Sequence, residues 1–101
     1  MSGLFAIIAT DRPDSLDLRA STRPAHLDHA QSIGARLKFA GPFLTDAAEP
    51  KPRGSLLIIE ADDLAAAEAF AAADPYARAG LFEAVRVEPL AAALGSWLAS
   101  S

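Results

Sequence analysis

With no cysteine in its 101 residues, the chain can use neither thiolate nucleophiles, disulfides nor Cys-ligated metals. Acid–base chemistry near neutrality falls to its two histidines, both in STRPAHLDHA (21–30). At 100° per residue, Leu27, Ala30, Ile33, Gly34 and Leu37 share one helical arc, and His26 falls inside it. Such a histidine is either a core ring bonded to backbone or the base of a small site. A helix starting at Pro24, an accepted first-turn residue, puts His26 in the first turn. There the positive end of the helix dipole disfavours imidazolium and favours a neutral, base-competent ring. His29 lies on the flank of the arc and reads as surface. The two histidines could share a metal, but no third ligand stands at local spacing, so no metal is assigned.

Asp74–Pro75 carries two readings. Asp is a favoured N-cap and Pro a favoured first helical residue, so "DPY" starts a short helix; a capping carboxylate also keeps lone pairs for an imidazole N–H. In "AGPF" (40–43), a strand ends in a turn, and Gly41 would let a ligand approach the backbone. Arg19 and Arg23 are solvated charges unless they flank a pocket, where they would attract an anion. "TDAAEPKPRG" (45–54) is a mobile loop or a lid, and Asp62 and Asp63 are assigned to capping. No Walker loop, dinucleotide fingerprint or nucleophile elbow occurs.

These residues need a scaffold. "LFAIIAT" (4–10) and "SLLIIE" (55–60) are apolar at odd and even positions, as in strands covered on both faces. "EAVRVE" (83–88) alternates, and "LKFAGP" (37–42) does so in part. Helices are expected from about Pro24 to Arg36, from the Asp62–Asp63 cap to about Ala73, and over a turn within 75–82. The order β-α-β-β-α-β predicts an α+β, ferredoxin-like fold: a four-stranded antiparallel sheet with both helices on one face. Its two central strands are the two that are apolar throughout. That leaves an open face, and a second copy of the chain is the expected cover. Topology brings segments 10–25, 42–54 and 74–82 to one end of the sheet, with His26, Gly41–Pro42 and Asp74 among them.

Composition narrows the function classes. One domain over residues 1–101 is expected, with an apolar tail from 90 to 101 that carries the only tryptophan, Trp97, and could wrap a partner. A net charge of −4 leaves no surface to neutralise a run of phosphates, which argues against nucleic acid. The apolar runs are too short for a membrane span, and the N-terminus has no basic region of a signal peptide. Together with the missing cysteines, this points to the cytoplasm.

Taken in order, "SLDLRASTRPAHLDH", "LKFAGPF", "GSLLIIEADDLAAAEAF", "DPYARAGLF" and "VRVEPL" resemble the YCII-related (YciI-like) family over nearly the whole chain. The resemblance implies a ferredoxin-like fold, dimeric through the open sheet face and related to dimeric α/β barrels. It also implies a His–Asp pair, which falls here on His26 and Asp74, while the apolar tail is longer than in the shortest members. A dehydrochlorinase of a hydroxylated chloroaromatic resembles the family, and ring-lactone isomerases share the broader fold; neither fixes a substrate.

Two functions are therefore expected. One is cofactor-free proton transfer on a small acidic, aromatic or enolic metabolite. His26 would act as base or acid, Asp74 as its orienter and Arg19 or Arg23 as the anion contact, with Gly41, Pro42, Phe43 and Tyr76 lining the pocket. The other is a ligand-binding or accessory module that uses the same pocket without turnover.

Overall fold

The computed structural model of the chain describes residues 2–98. The elements are β1 (Gly3–Asp11), α1 (Leu16–Gln31), β2 (Leu37–Leu44), β3 (Pro52–Ala61), α2 (Leu64–Ala72), α3 (Pro75–Arg78) and β4 (Phe82–Leu90). One antiparallel sheet is ordered β2-β3-β1-β4, so β1 and β3 are central, as the ferredoxin-like order requires. Among the described residues no helix is long and apolar enough to cross a membrane.

Register divides the apolar residues between two faces. Phe5 and Ile7 of β1 and Leu57 and Ile59 of β3 are buried with Ala30 of α1 and Ala67 and Ala71 of α2. Alanines on the helices let them sit close to these large strand residues. On the opposite face Ile8 lies across from Leu56 and Ala6 across from Ile58, with Phe39 beyond in β2; these positions are half-buried. Val87 packs on the core from β4, while the alternating Arg86 and Glu88 face the other way.

Several expectations need correction. Helix α1 begins at Leu16, not Pro24, and ends at Gln31; Gly34–Arg36 form a separate 3-10 turn, entered through Gly34 at φ +57°. Pro24 is therefore inside the helix, where it leaves the Ala20 carbonyl without its usual N–H donor. His26 follows two full turns after the start, beyond the first-turn field invoked for it. Only Asp63 caps α2, accepting from the Ala66 N–H at 2.8 Å, whereas Asp62 pairs with Arg36 at 3.0 Å. The stretch 45–54 is shorter as a loop than expected, because β3 starts at Pro52; Thr45 and Lys51 close what remains through two hydrogen bonds. Trp97 stacks on Phe39 of its own chain, with centroids 5.3 Å apart, and residues 99–101 of the tail lie outside the described residues.

Candidate active site

The site is built where α1, the ends of β2 and β3, and the α2–α3 junction meet. At that junction Asp74 caps α3, accepting the Tyr76 N–H at 2.9 Å, and Pro75 supplies the first helical residue. After one turn Gly80, at φ +81°, reverses the chain into β4. This short helix faces α1, so Asp74 meets His26 across a sequence separation of 48 residues. His26 Nδ1 stands 2.9 Å from both carboxylate oxygens. A carboxylate only accepts, so Nδ1 carries the proton and Nε2 is the nitrogen with a free lone pair. Both residues are buried, at 6% and 3% exposure. Among the described residues no fully buried side-chain nitrogen or oxygen lacks a partner, so Nε2, which has none, is not fully enclosed, and His26 lines the adjoining cavity.

That cavity measures about 360 Å³. Tyr76 forms its floor, 1% exposed and stacked on the His26 ring at 4.0 Å, with its ring edge-on to Phe82. Burial pushes the Tyr76 phenol above its ordinary range; Arg19 and Arg23 pull it down, and Asp74 and Asp11 add to the upward push. The phenol is accordingly a hydrogen-bond donor throughout the neutral range. Arg19 is buried, which its reading as a solvated charge does not describe. Its Nε and one terminal nitrogen hold Asp11 at 2.7 and 3.1 Å, the same nitrogen reaches Ser55 Oγ at 2.7 Å, and the guanidinium lies 4.6 Å from the Tyr76 ring centroid. Asp11 neutralises Arg19, so the free positive charge at the cavity belongs to Arg23, which is exposed and has no carboxylate partner among the described residues.

Gly41 and Pro42 line the cavity, whereas Phe43 is not among its lining residues. Phe43 shares the open sheet face with Gly54, its cross-strand partner, and its ring lies under the Arg53 guanidinium at 5.3 Å. His29 is half-buried rather than at the surface: it stacks on Phe70 and Nε2 bonds to the Phe70 carbonyl at 2.9 Å. Sequence reasoning missed Asp11 and Ser55. A signal existed in each case, an acid ending an apolar strand and a hydroxyl opening one, but neither indicates a buried arginine. Among the described residues no three potential ligands cluster to hold a metal.

A family model described as the YCII-related domain matches residues 3–91, nearly the whole fold including every residue around this cavity. The chain belongs to the YCII-related family. Protein YciI of Escherichia coli is 45% identical over 92 residues, covering 85% of this chain and 94% of that protein. An uncharacterised Haemophilus influenzae protein is 36% identical, covering 84% and 93%. Among solved structures, the 5-chloro-2-hydroxyhydroquinone dehydrochlorinase of Burkholderia phenoliruptrix, in complex with 2,5-dihydroxybenzoquinone, is similar at a TM-score of 0.78. It is 36% identical, over 84% of this chain and 90% of that one. A Bacteroides protein described as an antibiotic biosynthesis monooxygenase shares the fold alone, at a TM-score of 0.54 and 10% identity. The YCII-related fold is thus the ferredoxin-like sheet of the dimeric α/β-barrel proteins.

Proposed function

We propose that this YCII-related protein is a cofactor-independent enzyme of proton transfer, acting on a small acidic or hydroxylated aromatic metabolite. The observation that carries the reading is the clamp on His26. A carboxylate with both oxygens at 2.9 Å from Nδ1 fixes the tautomer and aims a basic nitrogen at the cavity. Asp74 stabilises the imidazolium formed when Nε2 takes a proton, and burial keeps water from competing for that carboxylate. The Tyr76 phenol and the Ser55 hydroxyl supply donors to ring oxygens, and Arg23, rather than Arg19, meets the developing negative charge. Pro42 and Leu27 give an aromatic ring apolar walls.

The similarity to a dehydrochlorinase supports elimination as the reaction type. The phenolic proton taken by Nε2 is returned to the chlorine-bearing ring carbon, giving a dienone tautomer with hydrogen and chlorine on one tetrahedral carbon. Loss of a second phenolic proton to Nε2 then shifts the ring electrons and breaks the carbon–chlorine bond, its electron pair leaving as chloride and the ring left as a quinone. Loss of HCl balances atoms and electrons without an external oxidant. The catalytic unit is a homodimer joined through the open sheet face, and a cysteine-free chain suits the cytoplasm.

The test is a chloride-release and ultraviolet assay on hydroxylated chloroaromatics, starting with 5-chloro-2-hydroxyhydroquinone. In parallel, small acidic metabolites are screened by thermal shift and the hits assayed. His26→Ala should lower the rate by about 10²–10⁴ with the fold retained. Asp74→Asn should cost less in rate and keep the α3 cap, since an amide oxygen accepts the Tyr76 N–H as well, whereas Asp74→Ala should also cost about 0.5–2 kcal/mol in stability because it removes that cap. A ligand that binds without turnover, with His26→Ala as competent as the parent, would identify a binding module instead.

A further inference from the structure

A second cavity, of about 250 Å³, adjoins the first and shares Leu16 and Pro52 with it. It lies between the β1–α1 loop and the β2–β3 loop, and its rim carries Arg12, Lys51 and Arg53. None of these three cations pairs with a carboxylate among the described residues. Of the two acids in the lining, Asp11 is already neutralised by Arg19, which leaves Asp14 alone against the three. The two guanidiniums are also held in place. Arg12 Nε donates to the Gly80 carbonyl at 2.9 Å and Arg53 Nε to the Leu44 carbonyl at 3.0 Å, so each guanidinium is anchored by one nitrogen with its terminal nitrogens free. Lys51 is fixed through its backbone, which bonds to Thr45 in both directions. In a chain of net charge −4, three cations set against one acid around one concavity form a local reversal of sign.

We propose that this groove is an anion subsite, which takes a carboxylate or phosphate group on the far end of a ligand whose other end sits beside His26. The substrate class then narrows from small acids in general to two-ended ones, with a ring or enol at the dyad and an anionic arm crossing Leu16 and Pro52. Placement of the ring rests on the function proposed above; affinity of the groove for an anion does not. Anchored guanidinium forks suit the paired oxygens of carboxylate and phosphate alike.

The experiment titrates inorganic phosphate, and separately acetate, into the isotope-labelled full chain at constant ionic strength held with sodium chloride, following backbone amides by NMR. Saturable shifts are expected at residues 11–16 and 51–53. Lys51→Gln, whose side chain makes no hydrogen bond to the rest of the described chain, should raise Kd about threefold. R12Q/R53Q together should raise it about tenfold, as expected for loss of exposed charge pairs. His26→Ala should leave Kd unchanged. Stronger binding of phosphate assigns the arm to a phosphate, and stronger binding of acetate to a carboxylate. Shifts that chloride reproduces, that centre on residue 23, or that persist in both Lys51→Gln and R12Q/R53Q overturn the subsite. An intact subsite with full activity in His26→Ala would refute the catalytic reading alone, and the reverse result would refute the subsite alone.

Discussion

Asp74 does two jobs with one carboxylate. Oδ1 accepts from the Tyr76 N–H and both oxygens face His26 Nδ1, so the bond that starts α3 also fixes the histidine. Capping and orientation therefore reinforce each other. Tyr76, between His26 and Arg19, is the only tyrosine and reports on the floor of the cavity. Its phenol is raised in the fold relative to the unfolded chain, so its contribution to stability is complete below about pH 10 and lost as pH rises through the folded value. Phenolate absorbance should show a midpoint above 10 in the native protein that falls to about 10 in strong urea. A native midpoint at or below 10 would mean that Arg19 and Arg23 outweigh burial.

At the scale of elements, the site depends on how closely β1 and β3 approach next to Ser55, which lines it. Gly54 is buried in β3 opposite Thr10, and a Cβ there would collide with the Ala9 carbonyl oxygen. Backbone cannot rotate out of the way as a side chain can. Gly54→Ala should therefore cost on the order of 1–3 kcal/mol in urea unfolding. It should also weaken the Ser55–Arg19 contact one residue on, whereas an unchanged midpoint would show that the strands have room to part. The α1 helix illustrates the opposite balance. A mid-helix proline is locally unfavourable, yet the helix continues through Pro24, because Arg19, His26 and Ala30 on the same helix are buried and hold both halves against the sheet and α3.

Over the whole molecule, the two sheet faces are unequal. Helices cover Phe5, Ile7, Leu57 and Ile59, while Leu4, Ala6, Ile8, Leu56 and Ile58 form a half-buried apolar centre flanked by Glu60, Arg86 and Glu88. An apolar centre with a charged rim is the composition of a protein interface. Light scattering at micromolar concentration should give a dimer for the parent chain. Ile8→Glu, on the open face, should give monomer or aggregate, whereas the same change at Ile7 should unfold the domain. A stable parent monomer would sink the dimer. Trp97 on Phe39 places the tail at the β2 edge of this same face, so a dimer formed there would have to accommodate it.

Patterns that repeat over a few residues determined the architecture. Doubly apolar runs marked β1 and β3 as central, alternation split Val85 and Val87 from Arg86 and Glu88, and "DPY" marked the start of α3. Each signal is local, because backbone period and capping depend on neighbours in the chain. The start of α1 was not legible, since Pro24 satisfies first-turn chemistry and only tertiary packing shows the helix passing through it. Nor was the fate of Arg19, whose partners lie 8 and 36 residues away, at the end of one strand and the beginning of another. Side-chain partners of this kind are chosen by three-dimensional proximity, and no period in the sequence encodes it. Topology brought His26 and Asp74 to the same end of the sheet; only the packing of α3 against α1 brought their side chains to 2.9 Å.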